Sequence, residues 1–410
     1  MQIFRSLSSK NFRYFISGQS VSLMGTWMQK VAVSWIVYQL THSAFMLGLT
    51  MFANLIPSLL LSPYAGSYAD RHNRYNILLI TQVLLMIQAG LFTLVIYLKI
   101  DSITIILALS LMQGLINAFD TTARQALLVN MINNKEDLPN AIAINSSMAN
   151  LTRILGPALA GILLSTLGDT SCFFINFISY FFVIYSLMKM KLDLPASRKQ
   201  EVKIWQTLSE GLRYLNKSPD LSSLILLMAG YSIFVIPFST LLPVFAKDVF
   251  HGNAGTFSWF ESAAGIGALL GTAYIAGIKT NKNLISIVIY SSLLFSMGVL
   301  LLSVSFDLVI ALVFTFITGM GMMTQTAAIN TYLQTHVSDD MRGRVISYFI
   351  MAYQGIIPIG SLIIGLLSSS FGPKVSVCIA GVLGILSTAT FVFFKYKRGQ
   401  KIGVSYLRTH

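Results

Sequence analysis

The sequence predicts an all-α polytopic membrane protein of twelve spans arranged as two pseudo-symmetric six-helix bundles. Three observations predict it. Of 410 residues, 28 are Lys or Arg and 15 are Asp or Glu, so only 10% are charged. A soluble domain carries roughly 25%. Hydrophobic residues make up 55% and mean hydropathy is +0.71. The apolar residues fall in long runs, six before a polar stretch and six after it. A net charge of +13 would suggest nucleic acid in a soluble chain. In lipid it is orientation chemistry, and no nucleic-acid partner is expected.

The first six runs fall near 14–40, 44–66, 77–98, 103–128, 139–166 and 171–188. The second six fall near 221–246, 256–277, 284–305, 308–334, 343–370 and 374–394. Most are long enough to cross about 30 Å of hydrocarbon as helices. The ten-residue alternation of a membrane barrel is absent. The basic N-terminus runs into an apolar stretch without a convincing cleavage site, so it reads as a retained first helix. Cys172 and Cys378 lie beside or within apolar runs and read as small hydrophobes.

The bases assign the sides. With the N-terminus inside, 22 of the 28 fall on cytoplasmic segments, and only Lys99, Lys247 and Lys374 fall outside. That asymmetry places both termini in the cytoplasm of a multi-pass inner-membrane protein. The expected organisation is a bundle over 1–190, a cytoplasmic linker with an amphipathic helix over 191–220, a second bundle over 221–396 and a tail over 397–410. Trp205, Leu208, Leu212 and Leu215 stand near helical spacing in that linker, so it should lie at the interface. The halves also echo each other, because Pro157 in the fifth span and Pro358 in the eleventh are 201 residues apart.

Charged residues inside spans are functional candidates by default. Lys30 lies around the middle of the first span and Arg153 near the middle of the fifth. Ser146, Asn150 and Arg153 share one helical face, which should line water or another helix. Glu261 lies in the outer part of the eighth span, with Gly265, Ala268 and Thr272 continuing a small-residue face. It is a candidate proton carrier. Tyr231 and Gln325 are candidate cavity-lining groups, as are Asn54 and Tyr348. Gly156, Pro157 and Gly161 combine a kink with a surface for close helix approach.

The loop after the second span reads Gly66-Ser-Tyr-Ala-Asp70-Arg71-His-Asn-Arg74. A positive-inside turn explains the bases but not the acid beside them. The pattern G-x-x-x-D-R-x-x-R resembles the loop signature of the major facilitator superfamily, with Asn73 where that family usually has Gly. The resemblance extends over the chain. GTWMQKVAVSWIVYQLTHSAFMLGL (25–49), INAFDTTARQALL (116–128), LTRILGPALAG (151–161), EGLRYLNKSPDL (210–221) and DDMRGRV (339–345) are similar to the branch of the enterobactin exporter and the macrolide efflux proteins.

The resemblance implies the fold of that superfamily and a cytoplasmic latch. Gly66, Asp70, Arg71 and Arg74 would form it, with Asp70 facing the N-terminus of the eleventh helix and Arg74 pairing with Asp120. Arg124, one turn after Asp120, would join the network. Gly156-Pro157-Ala-Leu-Ala-Gly161 resembles the antiporter segment of the family and implies export against proton entry.

The expected function is therefore a proton-coupled exporter of a small organic molecule. A siderophore or similar anionic or amphipathic metabolite fits three bases inside spans with few acids. The alternatives are a multidrug or macrolide efflux pump and a lysophospholipid transporter. The expected partners are a small-molecule substrate and the bilayer, and the carrier is expected to be a monomer. No cofactor beyond the proton gradient is implied. An enzyme is not expected, since no nucleophile–base or metal constellation emerges, and no P-loop suggests ATP-driven transport.

Overall fold

The computed structural model describes residues 5–192, 204–278 and 283–397, apart from the side chains of Asp70, Lys135 and 204–208. The connector residues 193–203 and the tail beyond Lys397 lie outside the described residues. What is described is helical, and it divides into two compact units: Met1–Val202 with His251–Ser262, and Lys203–Phe250 with Ala263–His410. The boundary between the units falls inside the expected linker rather than at either end of it. The short stretch from His251 to Ser262 groups with the first unit.

In the first unit a 3-10 turn, Arg5–Ser8, leads into α1 (Lys10–Thr41). His42 ends α1 with φ 47°, its N–H donating to the Tyr38 carbonyl. Ser43 caps α2 (Ala44–Arg71), which carries Pro57 and Pro63 inside it. Asn73 is not in the left-handed region that a Gly there would suit. Its φ is −67°, and its side chain accepts from the Tyr75 and Asn76 amides to cap α3 (Arg74–Tyr97). Then come α4 (Ile103–Leu128), α5 (Leu138–Thr166) and α6 (Thr170–Met188). Small residues set the packing. Gly18 and Gly25 of α1 lie against Ser186, Val183, Asn176 and Ser179 of α6. Gly114 of α4 lies against the Asn54 carbonyl of α2.

The second unit begins with α7 (Ile204–Lys217), the linker helix. Its seventh span is interrupted. After α8 (Pro219–Phe234) come a 3-10 stretch, Ile236–Leu241, a single turn α9 (Leu242–Val244) and a π-helical turn, Phe245–Val249. Pro237 and Pro243 lie in this stretch, and each removes a backbone donor. Next are α10 (Ala254–Ala276), α11 (Leu284–Val304) and α12 (Leu308–His336). The eleventh span is α13 (Asp339–Ile350), a π-helical turn Met351–Gly355, and α14 (Ile357–Phe371), and the chain continues into α15 (Pro373–Lys397). The linker helix docks on α13: Glu210 pairs with Arg344 at 2.8 Å, and Gly211 lies against Tyr348 and Arg344.

The internal repeat is visible in the packing. In the first unit α3 packs on α4 and α6; in the second, α11 packs on α12 and α15. Gly114 meets the Asn54 carbonyl between α2 and α4, and Gly319 meets the Ala264 carbonyl between α12 and α10. Among the described residues, ten helical segments are long and apolar enough to cross a membrane. The two remaining long helices are α1, with 32 residues, and α10, with 23. Their length suffices, but polar residues dilute their hydropathy: Gln29 and Lys30 in α1, Glu261 in α10.

Candidate functional site

The first turns of α10, up to Ser262, group with α1 in the first unit. Trp35 of α1 stacks on Phe257 of α10 with ring centroids 6.4 Å apart. A Cβ on Gly161 of α5 would stand 2.5 Å from the Ser258 Cβ, so only glycine lets α10 seat there. Glu261 follows Phe257 by four residues and Ser258 by three, which places it on that same face of α10. It is half-buried.

Lys30 and Arg153 converge on one indole. The Lys30 ammonium is 4.7 Å from the Trp27 ring centroid, and the Arg153 guanidinium carbon is 6.0 Å from it. Each contact is worth about 0.5–2 kcal/mol, the larger value where water is excluded. Gly156 makes this geometry possible, because a Cβ there would overlap the Trp27 Cβ. Lys30 is exposed, and Asn150 and Arg153 are half-buried on their shared α5 face. The apolar stripe of α5, Leu151, Leu155, Leu159 and Ile162, is exposed on another face. Gly156→Ala should therefore displace Trp27 and destabilise the first unit by about 1–3 kcal/mol, the usual cost of overpacking. Thermal unfolding and tryptophan fluorescence of the variant check it.

A second constellation lies near the C-terminal end of α4. Asp120 is 1% exposed and ion-pairs with Arg124 one turn on. Its Oδ1 also accepts from Thr81 Oγ1 at 3.0 Å and Gln82 Nε2 at 2.6 Å, both on α3. The expected Arg74–Asp120 pair is not the arrangement found. Arg74 instead donates to the Ala69 and Ala126 carbonyls at 3.4 and 3.5 Å, bracing the turn between α2 and α3 against α4. Gly66 is half-buried with Thr122 nearby, and Arg71 is exposed at the end of α2. The Asp70 side chain lies outside the described residues.

Tyr231 and Gln325 are not on a cavity wall. Both are fully buried in the second unit. The Tyr231 hydroxyl lies 2.6 Å from Ser296 Oγ and 2.7 Å from Thr388 Oγ1, and donates to the Ser292 carbonyl at 2.8 Å. Gln325 donates to Ser292 Oγ at 2.7 Å. These groups fasten α8, α11, α12 and α15 together, the ordinary use of polar residues between membrane helices. Pro157 is buried within α5, beside Gly156 and Trp27's helix.

Sequence reasoning missed two things. Trp27 is the platform that gathers both cations. Gln29, Gln88 and Asn176 form a buried relay: Asn176 donates to Gln29 at 2.7 Å, Gln29 to Gln88 at 3.2 Å, and Gln88 to the Leu109 carbonyl at 3.1 Å. An amide inside an apolar run was the available signal, since it must find a partner there.

Comparison with known proteins agrees with this architecture. A family model described as transmembrane secretion effector matches residues 2–406. The staphyloferrin A transporter of Staphylococcus aureus is 29% identical over 398 residues, covering 95% of this chain and 98% of the relative. Macrolide efflux protein A of Streptococcus pyogenes is 21% identical, covering 90% and 91%. The multidrug efflux pump Tap of Mycolicibacterium fortuitum is 23% identical, covering 83% and 85%. Among solved structures, the nucleoside transporter NupG matches in fold with TM-score 0.74 at 14% identity, over 94% of this chain and 99% of that one.

Proposed function

Because the chain belongs to the transmembrane secretion effector family of the major facilitator superfamily, we propose that it exports a small anionic or amphipathic metabolite by alternating access, coupled to proton entry. It is a multi-pass membrane transporter related to a siderophore transporter and to drug efflux pumps. The proposed setting is the inner membrane with both termini cytoplasmic, the carrier acting as a monomer. The loop from Gly66 to Arg74, with Asp120 and Arg124, is the proposed cytoplasmic latch. Gly156, Pro157 and Gly161 are proposed to seat the moving helices.

The observation that carries the anionic reading is the pair of cations on Trp27. Among the described residues, Lys30 and Arg153 make no hydrogen bond or ion pair to the protein, so their donors are available to a ligand. A carboxylate satisfies such donors with charge-assisted bonds, each worth about 1.5–3 kcal/mol. The relative named for staphyloferrin A supports this reading. The macrolide and multidrug relatives support a second, in which the Trp27 face receives a large apolar cargo.

Inverted vesicles with an imposed pH gradient, given staphyloferrin A and a macrolide in parallel, separate the two. The anionic reading expects staphyloferrin A uptake that collapses with the gradient. Lys30→Gln and Arg153→Gln should each lower it about tenfold or more, matching a loss of at least ~1.4 kcal/mol. Macrolide transport without carboxylate transport overturns it.

A further inference from the structure

We propose that Glu261 is a tethered counter-anion: it partners the Lys30–Arg153 cation pair in the empty carrier, and the carboxylate of an incoming cargo displaces it. The displacement half rests on the anionic reading above; the pairing half does not.

Two cations and one acid share a small region. Lys30 and Arg153 lie 4.7 and 6.0 Å from the same indole centroid. Glu261 is brought toward them by the Trp35–Phe257 stack and by the Gly161 seat under Ser258. Glu261 acts on Lys30 as an attracting charge, and Arg153 as a repelling one. Yet among the described residues none of the three is in an ion pair within 4.0 Å. The acid shares their region without occupying their donors.

Two uncompensated cations inside a membrane protein are costly. The empty carrier must nevertheless reorient once per cycle. A carboxylate carried by the protein offsets one of the two charges during that return. Cargo then replaces it at the cations, and because Glu261 stays tethered nearby, the cargo's own charge offsets the second cation. Binding of an anion favours proton uptake by a neighbouring acid, and by reciprocity a proton on Glu261 would favour the cargo. Antiport needs the opposite relation, in which proton and cargo exclude each other. With an anionic cargo, Glu261 therefore serves as the counter-charge, and the entering proton is carried by another group.

The test uses the purified full-length transporter in two arms. The first is a double-mutant cycle on cargo-free thermal stability with Glu261→Gln, Lys30→Gln and the double variant. Pairing expects Glu261→Gln to destabilise wild type more than it destabilises the Lys30→Gln background, where Arg153 alone remains as partner. Additive effects overturn the pairing. The second arm measures staphyloferrin A affinity and compares net efflux with cargo–cargo exchange in proteoliposomes. Displacement expects Glu261→Gln to bind about tenfold tighter, equivalent to ~1.4 kcal/mol of relieved competition, with exchange kept and net efflux slowed. Unchanged or weaker binding overturns the displacement with the cargo reading intact. Equal loss of exchange and net efflux overturns the displacement as well. No binding by either protein overturns the anionic cargo and the displacement together, while the first arm still decides the pairing.

Discussion

Gly319→Val should yield no folded transporter, while Gly343→Ala should be tolerated. The two glycines lie in helices of the same unit and differ in what surrounds them. A Cβ on Gly319 would overlap the Ala264 carbonyl oxygen, with the Ala264 carbonyl carbon at 2.8 Å and Cα at 2.9 Å behind it. That neighbour is backbone, so no rotamer change relieves the overlap. The arrangement is reciprocal, since a Cβ on Gly267 of α10 would overlap the Phe316 carbonyl of α12. Separating the helices to admit one side chain would undo both contacts. Overpacking a yielding core costs about 1–3 kcal/mol, and a rigid carbonyl should cost more. Gly343, by contrast, has nothing within 4 Å of its added Cβ. Alanine there should stabilise α13 by up to ~1 kcal/mol, because glycine is a poor helix former. Size-exclusion profiles in detergent and thermal unfolding of both variants check the contrast. A monodisperse, active Gly319→Val would remove the close approach as a determinant of the fold.

The features legible in the sequence are those set by long stretches. Lipid as solvent demands long apolar helices, so the spans follow from hydropathy, and the chain's α1 to α6 lie close to the expected runs. Interruptions were less legible. Pro237, Pro243 and Pro358 were readable as missing donors, but the π-helical turns at Phe245–Val249 and Met351–Gly355 depend on how neighbouring helices take up the freed carbonyls. Ser232, for example, donates to the Tyr353 carbonyl at 3.0 Å.

The candidate site divides in the same way. Lys30, Arg153 and Glu261 stand out in sequence because charge inside an apolar run is expensive, whatever surrounds it. Trp27 does not stand out, because an aromatic in a membrane helix is commonplace. Its part depends on Gly156 lying opposite it, 129 positions along the sequence. Tyr231 and Gln325 failed as cavity residues for a related reason. A polar group in a span can face water or another helix, and only the fold decides which. Four hydroxyl and carbonyl neighbours around the Tyr231 hydroxyl decide it here.

Asp120→Ala should be among the most damaging single changes in the first unit, and adding Arg124→Leu should recover part of the loss. The carboxylate is 1% exposed and the Arg124 side chain 22%, so the pair is largely shielded from water. Removing the acid strands a guanidinium among apolar helices and leaves the Thr81 hydroxyl and Gln82 amide without their acceptor. Gln82 is poorly placed to adapt, because its Oε1 is already buried without a hydrogen-bond partner among the described residues. Breaking one side of a buried pair costs about 3–5 kcal/mol, whereas replacing both sides with apolar residues is often neutral. Thermal unfolding of the two single variants and the double variant should therefore show a loss in the double smaller than the sum of the singles. Transport should not recover with stability if this pair also belongs to the proposed latch. A latch acts through a charge that forms and breaks contacts during the cycle, and a leucine fills the space without supplying that charge. A double variant that is stable and fully active would reduce Asp120 and Arg124 to a packing device between α3 and α4.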